Sequence, residues 1–258
     1  MIRISVVVAT YNAEKYLHSA LESIINQDYA ATDIVVIDGK SKDNTVDIIK
    51  KYADKIGYWI SESDKGIYDA WNKGVKNAKG DWIMFLGSDD CLVPGALQAY
   101  ADFISRLEPE IEFVSSKIQC ADANLVPYRV IGWPWEWPKY QHVNTIAHPG
   151  SMHRRDLFER YGYFDPSYRI VGDYEFLLRG GPRLRTAFMD RITVIFREGG
   201  VSDGYAAIRE SYKASITTGK ASRLPMLYRA GVACAKYFIR TLLLKANIRV
   251  IGRKEYQV

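Results

Sequence analysis

Apolar positions along the first 120 residues switch between two periods. Ile4 to Ala9 is a short β-branched run, the pattern of a strand buried on both faces. Leu17, Leu21, Ile24 and Ile25 follow at helical spacing, with Asn12 available as N-cap. The alternation then repeats. Asp33 to Asp38 predicts a second strand, and Thr45, Ile48, Ile49 and Tyr52 share one helical face. Tyr58 to Ser61 predicts a third strand; Ile67, Trp71 and Val75 lie on a helix that Gly80 can close at C′. Trp82 to Leu86 is the fourth. Pro94 suits the first position of a helix carrying Leu97, Ala101 and Ile104, and Ile111 to Val114 is a fifth strand. This rhythm predicts an α/β fold with a mostly parallel, doubly wound sheet.

Beyond residue 120 the rhythm is lost. Trp133-Pro134-Trp135-Glu136-Trp137-Pro138 reads as a rigid aromatic loop. A helical stretch near 154–161, an extended piece near 186–197 and two helices after 204 complete the chain.

The 258 residues suffice for one large domain with a helical appendage. Apolar residues at 48% and charged residues at 25% exclude a disordered chain. The net charge of +5 is unevenly spread: residues 200–258 hold eleven Lys or Arg against three Asp or Glu, while the first 199 carry 24 against 27. A basic tail on a near-neutral body is not the pattern of a nucleic-acid binder. Cys91, Cys120 and Cys234 form neither a metal pattern nor a disulfide framework, which fits a reducing cytoplasm. The N-terminus reads as a first strand rather than a signal peptide, and no uncharged apolar run approaches the roughly 20 residues that span a bilayer.

In open α/β sheets ligands bind outside the carboxyl ends of the strands. Asp38, Glu62, Asp64, Asp89 and Asp90 collect at those ends on one rim. Like charges crowded together raise one another's pKa unless a cation or donor offsets them. Helix caps and solvated loops explain any one of the five more easily than all. Neither G-x-x-x-x-G-K-[ST] nor G-x-G-x-x-G follows strand one, which argues against a P-loop NTPase or a dinucleotide dehydrogenase. An oxygen-rich rim without a Cys/His cluster suits Mg2+ or Mn2+ bridging to substrate phosphates, and so a nucleoside diphosphate carrier.

Four blocks carry a resemblance: S-V-V-V-A-T-Y-N at 5–12, V-V-I-D-G-K-S-K-D-N-T at 35–45, D-K-G-I-Y-D-A-W-N-K-G at 64–74 and G-D-W-I-M-F-L-G-S-D-D at 80–90. In this order and spacing they resemble the family 2 glycosyltransferases of GT-A fold, with a weaker match at 148–158 and 161–179. The resemblance implies a GT-A domain over 1–200, with a nucleotide-sugar half (1–120) and an acceptor half (121–200), followed by a basic amphipathic helical tail (201–258). It implies Thr10, Tyr11, Asn12, Asp38 and Asp64 around the nucleotide, with Asp38 accepting from the base. Ser88-Asp89-Asp90 takes the family's D-x-D place with Ser in the first position; Asp90 is implied as metal ligand and Asp89 as ribose or second metal carboxylate. Asp173 is implied as the base that deprotonates the acceptor, with Glu175 in reserve. Asp173 also opens an apparent helix, where an N-cap is the alternative.

His148 is a candidate acceptor or phosphate contact, and His153 a weaker one; a lone His is equally a structural residue. Arg179 and Arg197 are candidates for the diphosphate, or for ordinary ion pairs. Trp135, with Trp133 and Trp137, can stack on an acceptor sugar, enter a membrane interface or form a lid. The tail (209–254) suits a helix on anionic lipid, or docking with a solvated basic face. The function so implied is inverting, metal-dependent transfer from a nucleotide sugar, UDP-linked by expectation. The acceptor is a saccharide or lipid-linked saccharide in bacterial cell-surface polysaccharide synthesis, of lipopolysaccharide type. The enzyme is expected in the cytoplasm or peripherally on the inner face of the membrane. The rivals are a sugar-phosphate nucleotidyltransferase, which wants a Gly-rich loop that Thr10-Tyr11-Asn12-Ala13 does not supply, and a non-catalytic carbohydrate-binding or scaffold module.

Overall fold

A computed structural model describes residues 1–199 and 204–245. Strands β1 (Ile4–Thr10), β2 (Thr32–Asp38), β3 (Tyr58–Ser61) and β4 (Trp82–Gly87) pair in parallel in the order β3-β2-β1-β4. Helices α1 (Leu17–Ile25), α2 (Thr45–Lys51) and α3 (Ile67–Asn77) connect them. Strand order reverses between β1 and β4, so their carboxyl ends form the crevice where an open sheet takes its ligand.

The β-branched runs do what a two-sided burial requires. Val6, Val8, Ile34, Val36, Met84 and Leu86 face one core, where α1 adds Leu17, Leu21 and Ile24. The alternate residues Val7, Val35, Ile37, Ile83 and Phe85 face the other, against Tyr68, Trp71 and Val75 of α3. The period of two in the strands and of 3.6 in the helices thus converts directly into two hydrophobic layers.

After β4 the topology departs from expectation. The short β5 (Cys91–Leu92), absent from the sequence reading, pairs antiparallel with the final strand β9 (Thr186–Arg197). Helix α4 (Ala96–Ile104) leads to β6 (Phe113–Ala121), longer than the strand expected at 111–114 and not a neighbour of β4. Strand β8 (Ser151–Arg154) lies between them, antiparallel to both, and β7 (Pro127–Ile131) pairs beside β6. The sheet is therefore mixed beyond β4, though β6 and β9 run parallel. Helices α5 (Trp137–Tyr140), α6 (Asp156–Tyr161) and α7 (Gly172–Gly180) follow in the acceptor half; the aromatic stretch is partly helical rather than all loop. The two helices expected after 204 are α8 (Tyr205–Thr217), against α7, and α9 (Arg223–Lys245), against α8.

Three helix-end assignments are corrected. Asn12 does not cap α1, which begins after Tyr16; it stands at φ 48° with its side-chain oxygen accepting from the Lys42 N–H at 2.9 Å. Pro94 lies before Gly95, the residue that precedes α4 in a left-handed conformation. Gly80 is not a left-handed C′ residue, for α3 ends in an extended Ala78. Its N–H instead donates to the Ser5 hydroxyl at 2.8 Å, and a Cβ there would strike the Ser5 backbone. Close approach, not φ, requires this glycine.

Candidate active site

The carboxyl ends of β1, β3 and β4 build the first cavity. It has about 320 Å3 and is lined by Thr10, Tyr11, Asp64, Ser88, Gly66 and Ile67 among others. Tyr11 is mostly exposed at its mouth, whereas Thr10 is buried with no partner for its hydroxyl among the described residues. Asp64 Oδ1 accepts from the Gly66 N–H at 2.8 Å, a turn that starts α3 and fixes the carboxylate at the cavity wall.

A second cavity of about 470 Å3 adjoins it, with Ile67 lining both. Its walls include Asp89, Asp90, Asp173, Tyr68, Trp71 and His148. Thus sequence candidates separated by more than 80 positions meet in one recess.

The Asp89–Asp90 loop is pinned on both sides by sheet. Pairing of β5 with β9 holds its far end, and the Arg197 N–H at the end of β9 donates to Asp90 Oδ1 at 3.0 Å. Arg197 Nε donates to the Asp89 carbonyl at 3.1 Å, and its guanidinium lies 4.1 Å over the Tyr16 ring. Arg197 therefore braces the loop from within the recess. A side chain at Gly87 would come within 2.6 Å of Asp90 Oδ2 and 2.9 Å of Asp89 Oδ1, so both carboxylates fold over that glycine.

Asp90 is not an exposed rim residue; it is 2% exposed. Burial first, and the Asp89 charge second, push its pKa up to about 8. Burial also raises Asp89, against the pull of Arg197. Two carboxylates reluctant to carry charge side by side are a donor set that a hard cation would satisfy. Among the described residues no group of three or more His, Cys, Asp or Glu is placed to hold a metal, so a cation at Asp89 and Asp90 would take its other oxygens from a phosphate ligand and water.

Asp173 lies in the first turn of α7, not at its N-cap, which is Val171. Burial raises its pKa, partly opposed by the Tyr174 N–H and by the Tyr68 hydroxyl at 3.0 Å from Oδ1. Tyr68 has one proton to share between this carboxylate and the Ile170 carbonyl at 2.7 Å. The loop before α7 is held from two further sides. Asn72 of α3 exchanges two buried bonds with the Phe164 backbone, at 2.8 and 2.9 Å. The Glu210 carboxylate of α8 accepts from the N–H groups of Arg169, Ile170 and Val171. Neither Tyr68 nor Asn72 is among the residues to which the sequence assigns a role. Their signal is a tyrosine and an amide four residues apart on the face of α3 that meets the acceptor half.

Removing the Tyr68 hydroxyl gives a test of this positioning. Its bond lowers the Asp173 pKa, so in Tyr68→Phe that carboxylate should protonate at higher pH. If Asp173 works as a base, the acid limb of the rate profile moves up in pH, and unchanged limbs in the variant would contradict the link.

Other candidates lie elsewhere. Asp38 is fully buried; Ser41 Oγ and N–H and Ser61 Oγ take its oxygens at 2.5, 3.0 and 2.6 Å, so it braces the 39–41 loop rather than offering a free acceptor. Glu62 pairs with Lys73 at 2.9 Å. Glu175 is 6% exposed, bound by Arg179 at 2.5 Å and by the Thr218 hydroxyl at 2.9 Å, which removes it as a reserve base and Arg179 as a diphosphate ligand. Trp135 packs at a tilt against Tyr140 with ring centroids 4.3 Å apart and is not among the residues lining the recess. His153 is core, its Nδ1 3.3 Å from the Ile83 carbonyl.

His148 does line the recess, stacked 4.9 Å from Trp71. Burial pushes its pKa down to about 3, so the ring is neutral and cannot ion-pair with phosphate. Its Nε2 and the Trp71 Nε1 are buried without hydrogen-bond partners among the described residues. From sequence Trp71 is only part of an apolar helix face, a position that reads first as core.

Two adjoining cavities thus lie at the β1/β4 switch point, with acidic residues lining both. The profile of glycosyl transferase family 2 matches residues 5–162, and the chain belongs to that family. A relative from Mycobacterium bovis, a PGL/p-HBAD biosynthesis glycosyltransferase, is 30% identical over 242 residues, covering 92% of this chain and 89% of its own. Among solved structures, S. aureus TarS 1–349 in complex with UDP-GlcNAc aligns with a TM-score of 0.65 at 21% identity, over 96% of this chain and 77% of that one. The mannosyltransferase PcManGT from Pyrobaculum calidifontis, in complex with GDP-Man and Mn2+, aligns at 0.61 and 20% identity, over 92% and 70%. These likenesses show the GT-A fold. The protein is a family 2 glycosyltransferase.

Proposed function

We propose that this enzyme moves a sugar, with inversion, from a UDP-linked donor to a saccharide or lipid-linked saccharide in cell-surface polysaccharide synthesis at the cytoplasmic side of the membrane. The observation that carries the reading is the pair of cavities joined at Ile67, one with Thr10, Tyr11, Asp64 and Ser88 and the other with Asp89, Asp90 and Asp173. The first takes the nucleoside and the second the sugar and the attacking hydroxyl. TarS, a fold neighbour, is known in complex with UDP-GlcNAc, which supports a UDP-linked donor.

Asp173 accepts the proton of the acceptor hydroxyl, whose oxygen forms the new bond to the anomeric carbon as the bond to the diphosphate breaks. Burial, by raising its pKa, makes it a better base than an exposed carboxylate. Asp90, with Asp89, holds the cation, for which Mn2+ in the PcManGT complex is a precedent. Such an ion, when bound, supplies positive charge against the departing diphosphate. His148 meets the acceptor as a neutral hydrogen-bonding ring.

Release of UDP from UDP-sugars in the presence of Mn2+ tests the reading. Turnover that needs both is expected; no turnover with any nucleotide sugar, across a panel of saccharide acceptors, would remove it. His148→Phe keeps the stack on Trp71 but loses Nε2, and should raise the acceptor KM about 2–10-fold, as for one neutral hydrogen bond. An unchanged KM would take His148 out of the acceptor site.

A further inference from the structure

The C-terminal helix α9 has two apolar faces. Met226, Ala230, Ala233 and Tyr237 lie on the side that is covered or partly covered in the fold. On the opposite side Leu224, Leu227, Tyr228, Phe238, Ile239 and Leu242 form a stripe at helical spacing, each more than half exposed. From Leu224 to Leu242 the stripe runs about 27 Å along the helix at 1.5 Å rise per residue. Exposed apolar residues scattered singly need no explanation, but two clusters on one helix face, with only Gly231 and Ala235 between them, do.

We propose that this outward face of α9 is a membrane-docking surface, which settles into the interface of a bilayer containing anionic lipid. Charge decides between a bilayer and a second copy of the chain. Residues 205–245 carry eight Lys or Arg against Glu210 alone, and Arg229 and Lys236 flank the stripe. A two-fold pairing of α9 with itself would bring cation toward cation along the seam, whereas helix dimers place opposite charges there. Anionic headgroups complement the same flank, because cations close to the surface are attracted to it. Tyr228 and Phe238 have the aromatic bodies that favour the headgroup boundary. No described helix is long and apolar enough to cross a membrane, so the stripe lies in the interface plane. The basic residues at 246–258 fall outside the described residues.

The proposal does not depend on the reaction, because docking is read without donor or acceptor. The full chain is sedimented with vesicles of phosphatidylcholine alone and of phosphatidylcholine with phosphatidylglycerol. Wild type should pellet with the anionic vesicles and less so as salt is added. Leu227→Glu with Phe238→Glu should lower binding by ~10-fold or more while keeping the wild-type melting transition, and Arg229→Ala with Lys236→Ala should lower it about tenfold and flatten the salt dependence. Wild type that pellets with neither vesicle overturns the proposal. So does a concentration-dependent dimer, seen by sedimentation velocity, that the glutamate variant dissociates and vesicles leave intact. If the glutamate variant loses its melting transition, the Arg229/Lys236 variant decides: binding equal to wild type overturns the proposal.

Discussion

Asp173→Asn is expected to lower glycosyl transfer on the order of 10²–10⁴-fold, the usual loss for a general base. The substitution preserves shape and an acceptor for the Tyr68 hydroxyl, and α7 keeps its first turn because Asp173 is not its N-cap. What it removes is the ability to take a proton. Nucleotide affinity should change little, since Thr10, Tyr11, Asp64 and Ser88 line the neighbouring cavity rather than this one. The wild-type rate should fall with decreasing pH as this carboxylate protonates, above the ordinary carboxylate value because burial raises it. Glu175→Gln is the control for loss of a neighbouring carboxylate. It breaks a buried pair with Arg179, so it should lower the melting temperature without abolishing transfer by folded protein. Transfer by Asp173→Asn at the wild-type rate would show that the proton goes elsewhere.

Asp90→Asn should cost transfer on the order of 10²-fold or more, through loss of the cation and its charge against the diphosphate. The same change should stabilise the metal-free protein at alkaline pH. The folded-state pKa of Asp90 is about 8 against an ordinary 3.8, so the fold favours its protonated form. Its contribution to stability is present below pH 3.8 and is lost as pH rises through about 8. Above that, wild type holds a buried charge that Asn lacks, a difference on the order of a few kcal/mol. Melting curves of both proteins with chelator should therefore converge near pH 4 and separate by pH 9, with the variant higher. The opposite order at pH 9 would mean that Asp90 is charged and satisfied without metal.

The first half of the fold was legible because β1, β2 and β4 are buried on both faces, β3 is partly buried along its length, and each connecting helix is buried on one face, so these elements leave their period in the sequence. Past β4 the pattern weakens. Strand β8 is four residues long and leaves only one or two alternations, and β5 only two residues. Their pairing with β4 and β9 is set by contacts across more than 60 positions, which no local window contains. The candidate site was legible where a residue follows a strand end, as Thr10, Asp64, Ser88 and Asp89 line the two cavities. It misled where a carboxylate serves the fold. Asp38, Glu62 and Glu175 look the same in sequence as Asp90 and Asp173, and only their partners Ser41, Lys73 and Arg179 tell them apart. Asn12 and Gly80 failed as helix-end signals because each has a different local task, and Pro94 because Gly95 stands between it and the helix. Tyr68 and Asn72 act through the loop they hold, and that loop lies about 100 residues away.

The most direct test of the donor site is nucleotide binding followed by thermal shift with UDP, GDP and their sugars, with and without Mn2+, in wild type and in Tyr11→Ala. Tyr11 is 60% exposed, so its loss should leave the unliganded melting temperature within a degree or so of wild type. A bound ligand raises it by mass action, on the order of 2.7 kcal/mol of stabilisation at 100 times Kd. The account predicts a rise for UDP that needs Mn2+ in wild type and is largely lost in Tyr11→Ala. No rise with any nucleotide, or the same rise in both proteins, would contradict a nucleotide sugar seated at the carboxyl ends of β1 and β4.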